Sequence, residues 1–190
     1  MRMTQDVLLL FSNTMAFLLA LVFGRAALHK FGDRYRFQGI LTDYALLPEG
    51  TLSAAAYAIP VAELGSAVLL MVPTTRPLGA ALAGMLLAAY AIAMAISLFR
   101  GRYLVDCGCG DAPEPVSWPL VARNVLLAAI LAPATFGLAG TTVSNLTYDI
   151  AALGIAVLLM LLWLAAEALF ANARRIHETL PTQTQTWSLS

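Results

Sequence analysis

Two cysteines stand in the 190-residue chain, and both fall in one pentapeptide, Asp106-Cys107-Gly108-Cys109-Gly110. A disulfide needs Cα atoms about 4.4–6.8 Å apart, which thiols separated by one residue reach only where the backbone bends. Gly108 and Gly110 supply that freedom, because glycine enters positive φ at little steric cost. A ring this small constrains almost no unfolded chain, so its entropic stabilisation is slight. A strained bridge exchanges more readily than a structural one. The spacing therefore favours reversible thiol–disulfide exchange. Two other readings stay open: buried thiols acting as small hydrophobes, and a metal site. The second needs about four ligands, and the chain adds only His29 and His177, which are distant in sequence.

Charges near the pair would tune it. The thiolate is the reactive form, favoured by nearby cations and opposed by anions. Asp106, Asp111 and Glu114 oppose it, whereas Arg100, Arg102 and Arg123 favour it. Ser117 is placed to cap a following helix with Pro119 in its first turn, and the positive end of that helix adds to the second group. Two further charges, Glu63 and Arg123, lie inside long apolar runs. A charge at the bilayer centre costs about 2.5–3.5 kcal/mol on insertion scales, so each calls for a partner. Glu63 is expected to pair with Arg25, Lys30 or Arg123 and so lock two helices together; a proton-relay role stays open beside it.

The elements that must hold these residues follow from composition. The chain is 60% hydrophobic and 12% charged, with mean hydropathy +0.78. Soluble domains are about 45–50% apolar and about 25% charged, and a chain of this size could not hide such an excess in one core. Disordered chains are polar and charge-rich, and two cysteines are too few for a disulfide scaffold. The 11 basic and 11 acidic residues cancel, so no net field recruits nucleic acid. A multi-pass membrane protein remains.

Five apolar runs, 7–24, 54–72, 78–99, 119–139 and 150–166, have the length a helix needs to cross a bilayer of about 30 Å. They lack the alternation of barrel strands. The fold expected is all-α: an antiparallel bundle of about five transmembrane helices, near 7–28, 54–72, 78–99, 119–139 and 149–170. These form a single domain over 1–171, with a polar tail over 172–190. Arg25 follows the first run where a signal peptide would show a small-residue cleavage site, so this run is expected to stay as a helix. Trp163 suits an interfacial anchor. Residues 73–77, Pro-Thr-Thr-Arg-Pro, predict a tight turn. Phe37, Ile40, Leu41, Tyr44 and Leu47 recur at helical spacing, predicting an amphipathic half-helix on the membrane surface that ends at Pro48. Gly79, Ala80, Ala83, Gly84 and Ala88 predict a close-packing face.

Several of these residues also carry a resemblance. Gly24-Arg25 through Lys30-Phe31, Phe37, Tyr44-Ala45-Leu46-Leu47-Pro48, Pro60 with Glu63 and Gly65, and Cys107-Gly108-Cys109-Gly110 resemble the MauE family of methylamine utilisation membrane proteins. The likeness covers roughly residues 7–140. It implies a place in the broader DoxX-like group and a four-helix core similar to vitamin K epoxide reductase, plus one extra C-terminal helix. It also implies an accessory role in the bacterial inner membrane. The client would be the small subunit of methylamine dehydrogenase, which carries several disulfides and a tryptophan tryptophylquinone, and the partner a thioredoxin-like protein similar to MauD. Cys107 and Cys109 would be the redox pair, with Gly108, Gly110, Glu63, Arg25, Lys30 and Arg123 supporting them.

The chain departs from the reductase pattern in one respect. That family uses Cys-x-x-Cys and often a second, shuttle pair, whereas this chain has Cys-x-Cys and no cysteine in 25–53. A single pair cannot relay electrons internally. Its exchange partner must be another protein's dithiol or a small acceptor such as a quinone.

Orientation is contested by the charges. The N-terminus and the connections 73–77 and 140–149 carry Arg2 and Arg76. The opposite side carries Arg25, Lys30, Arg34, Arg36, Arg100, Arg102, Arg174 and Arg175. The positive-inside rule would place the crowded side in the cytoplasm. Disulfide chemistry belongs on the oxidising periplasmic face, and the periplasm is the side expected. Two functions remain: a membrane thiol–disulfide component, or a non-catalytic scaffold that docks partner or client proteins. A transporter is the weaker third, since no pair of broken helices in matching halves is evident.

Overall fold

A computed structural model describes residues 2–108, 114–135 and 146–179. Its helices are α1 (Arg2–Gly32), α2 (Arg34–Tyr44), α3 (Glu49–Met71), α4 (Arg76–Phe99), α5 (Trp118–Thr135) and α6 (Leu146–Thr179), with a 3₁₀ turn at Pro73–Thr75. Four segments, Asp6–Gly32, Glu49–Met71, Pro73–Phe99 and Leu146–Ala166, are long and apolar enough to cross a bilayer. The remaining expected span corresponds to α5, whose apolar stretch Trp118–Leu131 is shorter; residues 136–139 of that expectation lie outside the described residues. The chain is a helical, multi-pass membrane protein.

Helix ends differ from the hydropathy boundaries for a physical reason. Hydropathy marks where a membrane run stops, whereas a helix stops where its backbone must turn. Arg25, His29 and Lys30 therefore ride on α1, which ends at Gly32. Asp33 caps α2, its carboxylate accepting the Arg36 N–H at 3.0 Å. The half-helix does form, but it ends at Tyr44 rather than Pro48, with Ala45 in the left-handed region at φ 48°. Pro48 instead precedes the first turn of α3. The 73–77 segment turns as expected, Pro73 opening the 3₁₀ turn and Pro77 lying in the first turn of α4. Helix α6 continues through Arg174 and Arg175 to Thr179, past the expected end at 170, since arginine, alanine and glutamate are good helix formers wherever the membrane ends.

Four helices share the central core. Leu19, Ala20 and Phe23 of α1 meet Ala67 and Leu70 of α3, Ala80, Ala83 and Leu87 of α4, and Leu131 of α5. Within the small-residue stripe, Gly79, Ala80 and Ala83 are buried while Ala88 is exposed. A Cβ on Gly79 would lie 2.7 Å from the Leu70 nitrogen, so only glycine lets α4 approach the α3 backbone this closely. Helix α6 stands outside this core and leans on α1, with Ala152 and Ala156 buried beside Phe17.

Candidate functional site

The cysteine loop leaves α4 through Gly101, at φ +72°, where the Arg102 N–H returns to the Ser97 carbonyl at 3.0 Å. The two limbs of the loop then pair across a narrow neck. The Val116 N–H donates to the Val105 carbonyl at 2.9 Å, and the Cys107 N–H to the Glu114 carbonyl at 2.8 Å. Cys107 is half-buried against a cluster of Ile40, Tyr44, Met94, Leu98, Val105, Val116 and Leu120. Gly108 adopts φ +71° and sits over α2, where an added Cβ would meet Ile40 at an ordinary 3.5 Å. Backbone conformation, not space, is what requires glycine there. Cys109, Gly110 and Asp111 lie outside the described residues.

Asp106 organises the neck. Its Oδ1 accepts the Gly108 N–H at 3.1 Å and the Glu114 N–H at 3.2 Å, one from each limb. The first of these is an Asx turn, which bends the chain at Cys107. Its Oδ2 takes the Arg36 guanidinium at 3.0 Å, tying the neck to α2. Arg100 and Arg102, expected beside the thiols, donate instead to the carbonyls of Ala45 and Asp43 at 3.2 and 3.0 Å. They cap the C-terminal end of α2, where cations are favoured. Arg123 is half-buried within α5.

Glu63 is 1% exposed and Lys30 3%. Of the three cations expected for Glu63, the structure selects Lys30, whose Nζ lies 2.7 Å from Oε1. Arg25 is half-buried on α1. The Tyr90 hydroxyl donates to the same oxygen at 2.6 Å, joining α4 to α1 and α3. Oε2 has no hydrogen-bond partner among the described residues. The ammonium also lies 5.3 Å from the Phe37 ring centroid and 5.6 Å from that of Tyr90. A cavity of about 10 Å³, room for one water, is lined by His29, Lys30, Asp33, Arg36, Phe37, Ile40 and Gly108. It reaches from the buried cation to the foot of the cysteine loop. Sequence reasoning missed Tyr90 and Arg36. The signal for Tyr90 was a phenol in the uncharged run 78–99; for Arg36 there was none.

A second polar cluster closes the opposite end of the bundle. Arg76, counted from sequence as a turn charge, is 7% exposed. Its Nη1 donates to Asn13 Oδ1 at 2.7 Å and its Nε to the Leu70 carbonyl at 3.2 Å. Asn13 Nδ2 donates to Asp149 Oδ1 at 2.8 Å, which lies 3.8 Å from Arg76 Nη2. The guanidinium carbon is 5.2 Å from the Phe17 ring centroid. An arginine between two prolines reads as a loop residue, so hydropathy gave no warning.

Residues 8–139 match the family model described as Methylamine utilisation protein MauE. The chain is similar to Methylamine utilization protein MauE of Paracoccus denitrificans, 36% identical over 154 residues, or 80% of this chain and 82% of that protein. It is 34% identical over 163 residues to the Methylophilus methylotrophus protein of the same name, 84% of this chain and 85% of the relative. With the Methylorubrum extorquens protein it shares 39% identity over 123 residues, 64% of each chain. No solved structure gives a significant match.

Proposed function

The chain belongs to the MauE family of methylamine utilisation proteins, and from that premise we propose that it is a membrane thiol–disulfide exchange component. One observation carries the reading. Cys107 heads a loop whose neck is held by paired limbs, an Asx turn and a positive-φ glycine, which is more local architecture than an incidental thiol requires. Cys107 and Cys109 form the exchanging pair, with Gly108 and Gly110 giving the backbone its bend. Glu63, Lys30, Arg25 and Arg123 support the helices that carry the loop.

Exchange with a client balances as follows. A client thiolate attacks the Cys107–Cys109 disulfide, forming a mixed disulfide and expelling one cysteine thiolate. A second client thiolate attacks the mixed disulfide, closing a client disulfide and releasing the other cysteine. Two electrons pass to the pair, and the two protons lost by the client end on Cys107 and Cys109. Reoxidation passes those electrons to a thioredoxin-like, MauD-like periplasmic partner, or to a quinone, which takes up the protons. The client is the small subunit of methylamine dehydrogenase, and the setting is the bacterial inner membrane.

The cysteine face is assigned to the periplasm. Five of the eight cations crowding it are engaged: Lys30 by Glu63, Arg36 by Asp106, Arg100 and Arg102 by carbonyls, and Arg34 over the rings of Tyr35 and Tyr57. Cations held in this way weigh less as orientation signals than free ones. A scaffold reading draws on Tyr103 and on Leu104, which is 95% exposed at the base of the loop. Cys107→Ser and Cys109→Ser variants separate the two. An exchanging pair loses client maturation with either variant and leaves a covalent adduct on a non-reducing gel; a scaffold tolerates both and traps nothing.

A further inference from the structure

The charge balance at the neck of the cysteine loop has a consequence for Cys107. Asp106 adjoins it in sequence, and an ionised carboxylate there opposes a thiolate. An acceptor oxygen at this position cannot simply be dispensed with, since Oδ1 holds both limbs through the N–H groups of Gly108 and Glu114. Arg36 meets the other oxygen at 3.0 Å, with the arginine 31% and the aspartate 18% exposed. The arginine comes from α2, a different element, whose buried face of Phe37, Ile40 and Tyr44 runs beneath the loop.

We propose that Arg36 is a positioning residue for the cysteine loop: its guanidinium cancels the charge of Asp106, whose oxygen the neck uses as an acceptor and whose charge would otherwise suppress the Cys107 thiolate. The Arg36–Asp106 pair thus makes the docking of α2 against the loop and the reactivity of Cys107 one coupled property. Other charged and titratable groups among the described residues also face the loop or its supporting elements. Glu114 is on the same loop. Asp33 and Asp43 flank α2, the second in its last turn. His29 and Lys30 line the small cavity beneath Gly108, with Glu63 and Tyr90 behind Lys30. Arg100 and Arg102 sit on the carbonyls of Ala45 and Asp43, and Arg123 is on α5. The proposal rests on reading Cys107 as an exchanging thiol, but its test reads the thiol itself in purified protein rather than client maturation in cells, so the two fail separately.

The experiment uses the full chain carrying Cys109→Ser, so that one thiol remains, and follows iodoacetamide alkylation of Cys107 against pH. The midpoint reports thiolate formation and the alkaline plateau reports access. Arg36→Gln leaves Asp106 uncompensated. Its midpoint is expected to rise, and alkylation near neutral pH to fall about threefold, the size a half-exposed ion pair supports. Asp106→Asn keeps an oxygen that accepts from Gly108 and Glu114 while leaving Arg36 uncompensated, so the midpoint is expected to fall and the neutral rate to rise by a similar factor. The double variant is expected to return to within about twofold of the starting protein. A merely structural pair would change the plateau and leave the midpoints in place, which overturns the proposal, as do two midpoints moving in the same direction. Should R36Q fail to fold, D106N decides alone: a lowered midpoint supports the proposal, and an unchanged or raised one refutes it.

Discussion

The bundle buries a cation near each end, and the two are handled differently. At the end where α4 begins, Arg76 is met by neutral acceptors, Asn13 and the Leu70 carbonyl, with Asp149 at 3.8 Å. At the end beneath the cysteine loop, Lys30 is met by a full carboxylate at 2.7 Å, itself 1% exposed. The first arrangement spreads one charge over two dipoles and a more distant carboxylate, and joins α1, α4 and α6 under a three-residue turn. The second concentrates two opposite charges among α1, α3 and α4, beside a cavity that reaches the loop. A buried ion pair is no better for stability than well-packed apolar side chains of the same volume. On the proposed reading, an end that serves only as a joint can lean mainly on neutral acceptors, whereas the end beneath the cysteines keeps the costlier pair.

The largest effect tests the pair. Glu63→Leu leaves the Lys30 ammonium buried without its carboxylate, which costs about 3–5 kcal/mol, and loss of folded protein in detergent extracts is expected. Adding Lys30→Met removes the stranded charge and is expected to recover most of that loss, measured by thermal unfolding of the purified protein. If the recovered double variant still matures client, the pair is a joint like that of Arg76, and the contrast between the two ends is broken. If it is stable but inactive, the contrast is sharpened.

A smaller effect is expected at the other end. Asp149→Asn keeps an oxygen that accepts from Asn13 and removes a charge 3.8 Å from Arg76. A loss of about 1 kcal/mol follows from one weakened charged contact. It should appear as faster proteolysis around α6, which leans on α1 through Ala152 and Ala156, while the alkylation of Cys107 stays unchanged. A change in Cys107 reactivity would mean that the two ends are coupled along α1.

How much of this was visible in the sequence depended on whether the signal was local. Apolar runs fixed the helices because each must span a bilayer by itself, and Pro73 with Pro77 fixed their shortest turn. Glu63 was recognisable as a charge in need of a partner, and Lys30 stood among three candidates because all three lay in plausible register. Arg76 was not recognisable: its burial depends on α1 and α6 arriving from far along the chain, and a proline-flanked arginine looks exposed. Arg36 was missed for the same reason, since its partner Asp106 is brought to it only when the loop folds back over α2. The Cys-Gly-Cys motif suggested exchange from its spacing alone, whereas the paired neck at its base is a tertiary product.

A further effect bears on the uneven hydrogen bonding within the pair. Glu63 Oε1 takes both Lys30 and the Tyr90 hydroxyl, while Oε2 has no hydrogen-bond partner among the described residues. Tyr90→Phe removes one of the two donors and keeps the ring that stands 5.6 Å from the ammonium. One hydrogen bond to a charged group contributes about 1.5–3 kcal/mol, and the salt bridge that remains can tighten to recover part of it. Thermal unfolding is expected to fall by less than for Glu63→Leu, with Cys107 alkylation unaltered. A Tyr90→Phe protein as unstable as Glu63→Leu would mean that the hydroxyl, rather than the ammonium, is what keeps the carboxylate buried, and the end beneath the cysteines would then resemble the Arg76 end in leaning on a neutral partner beside its charged one.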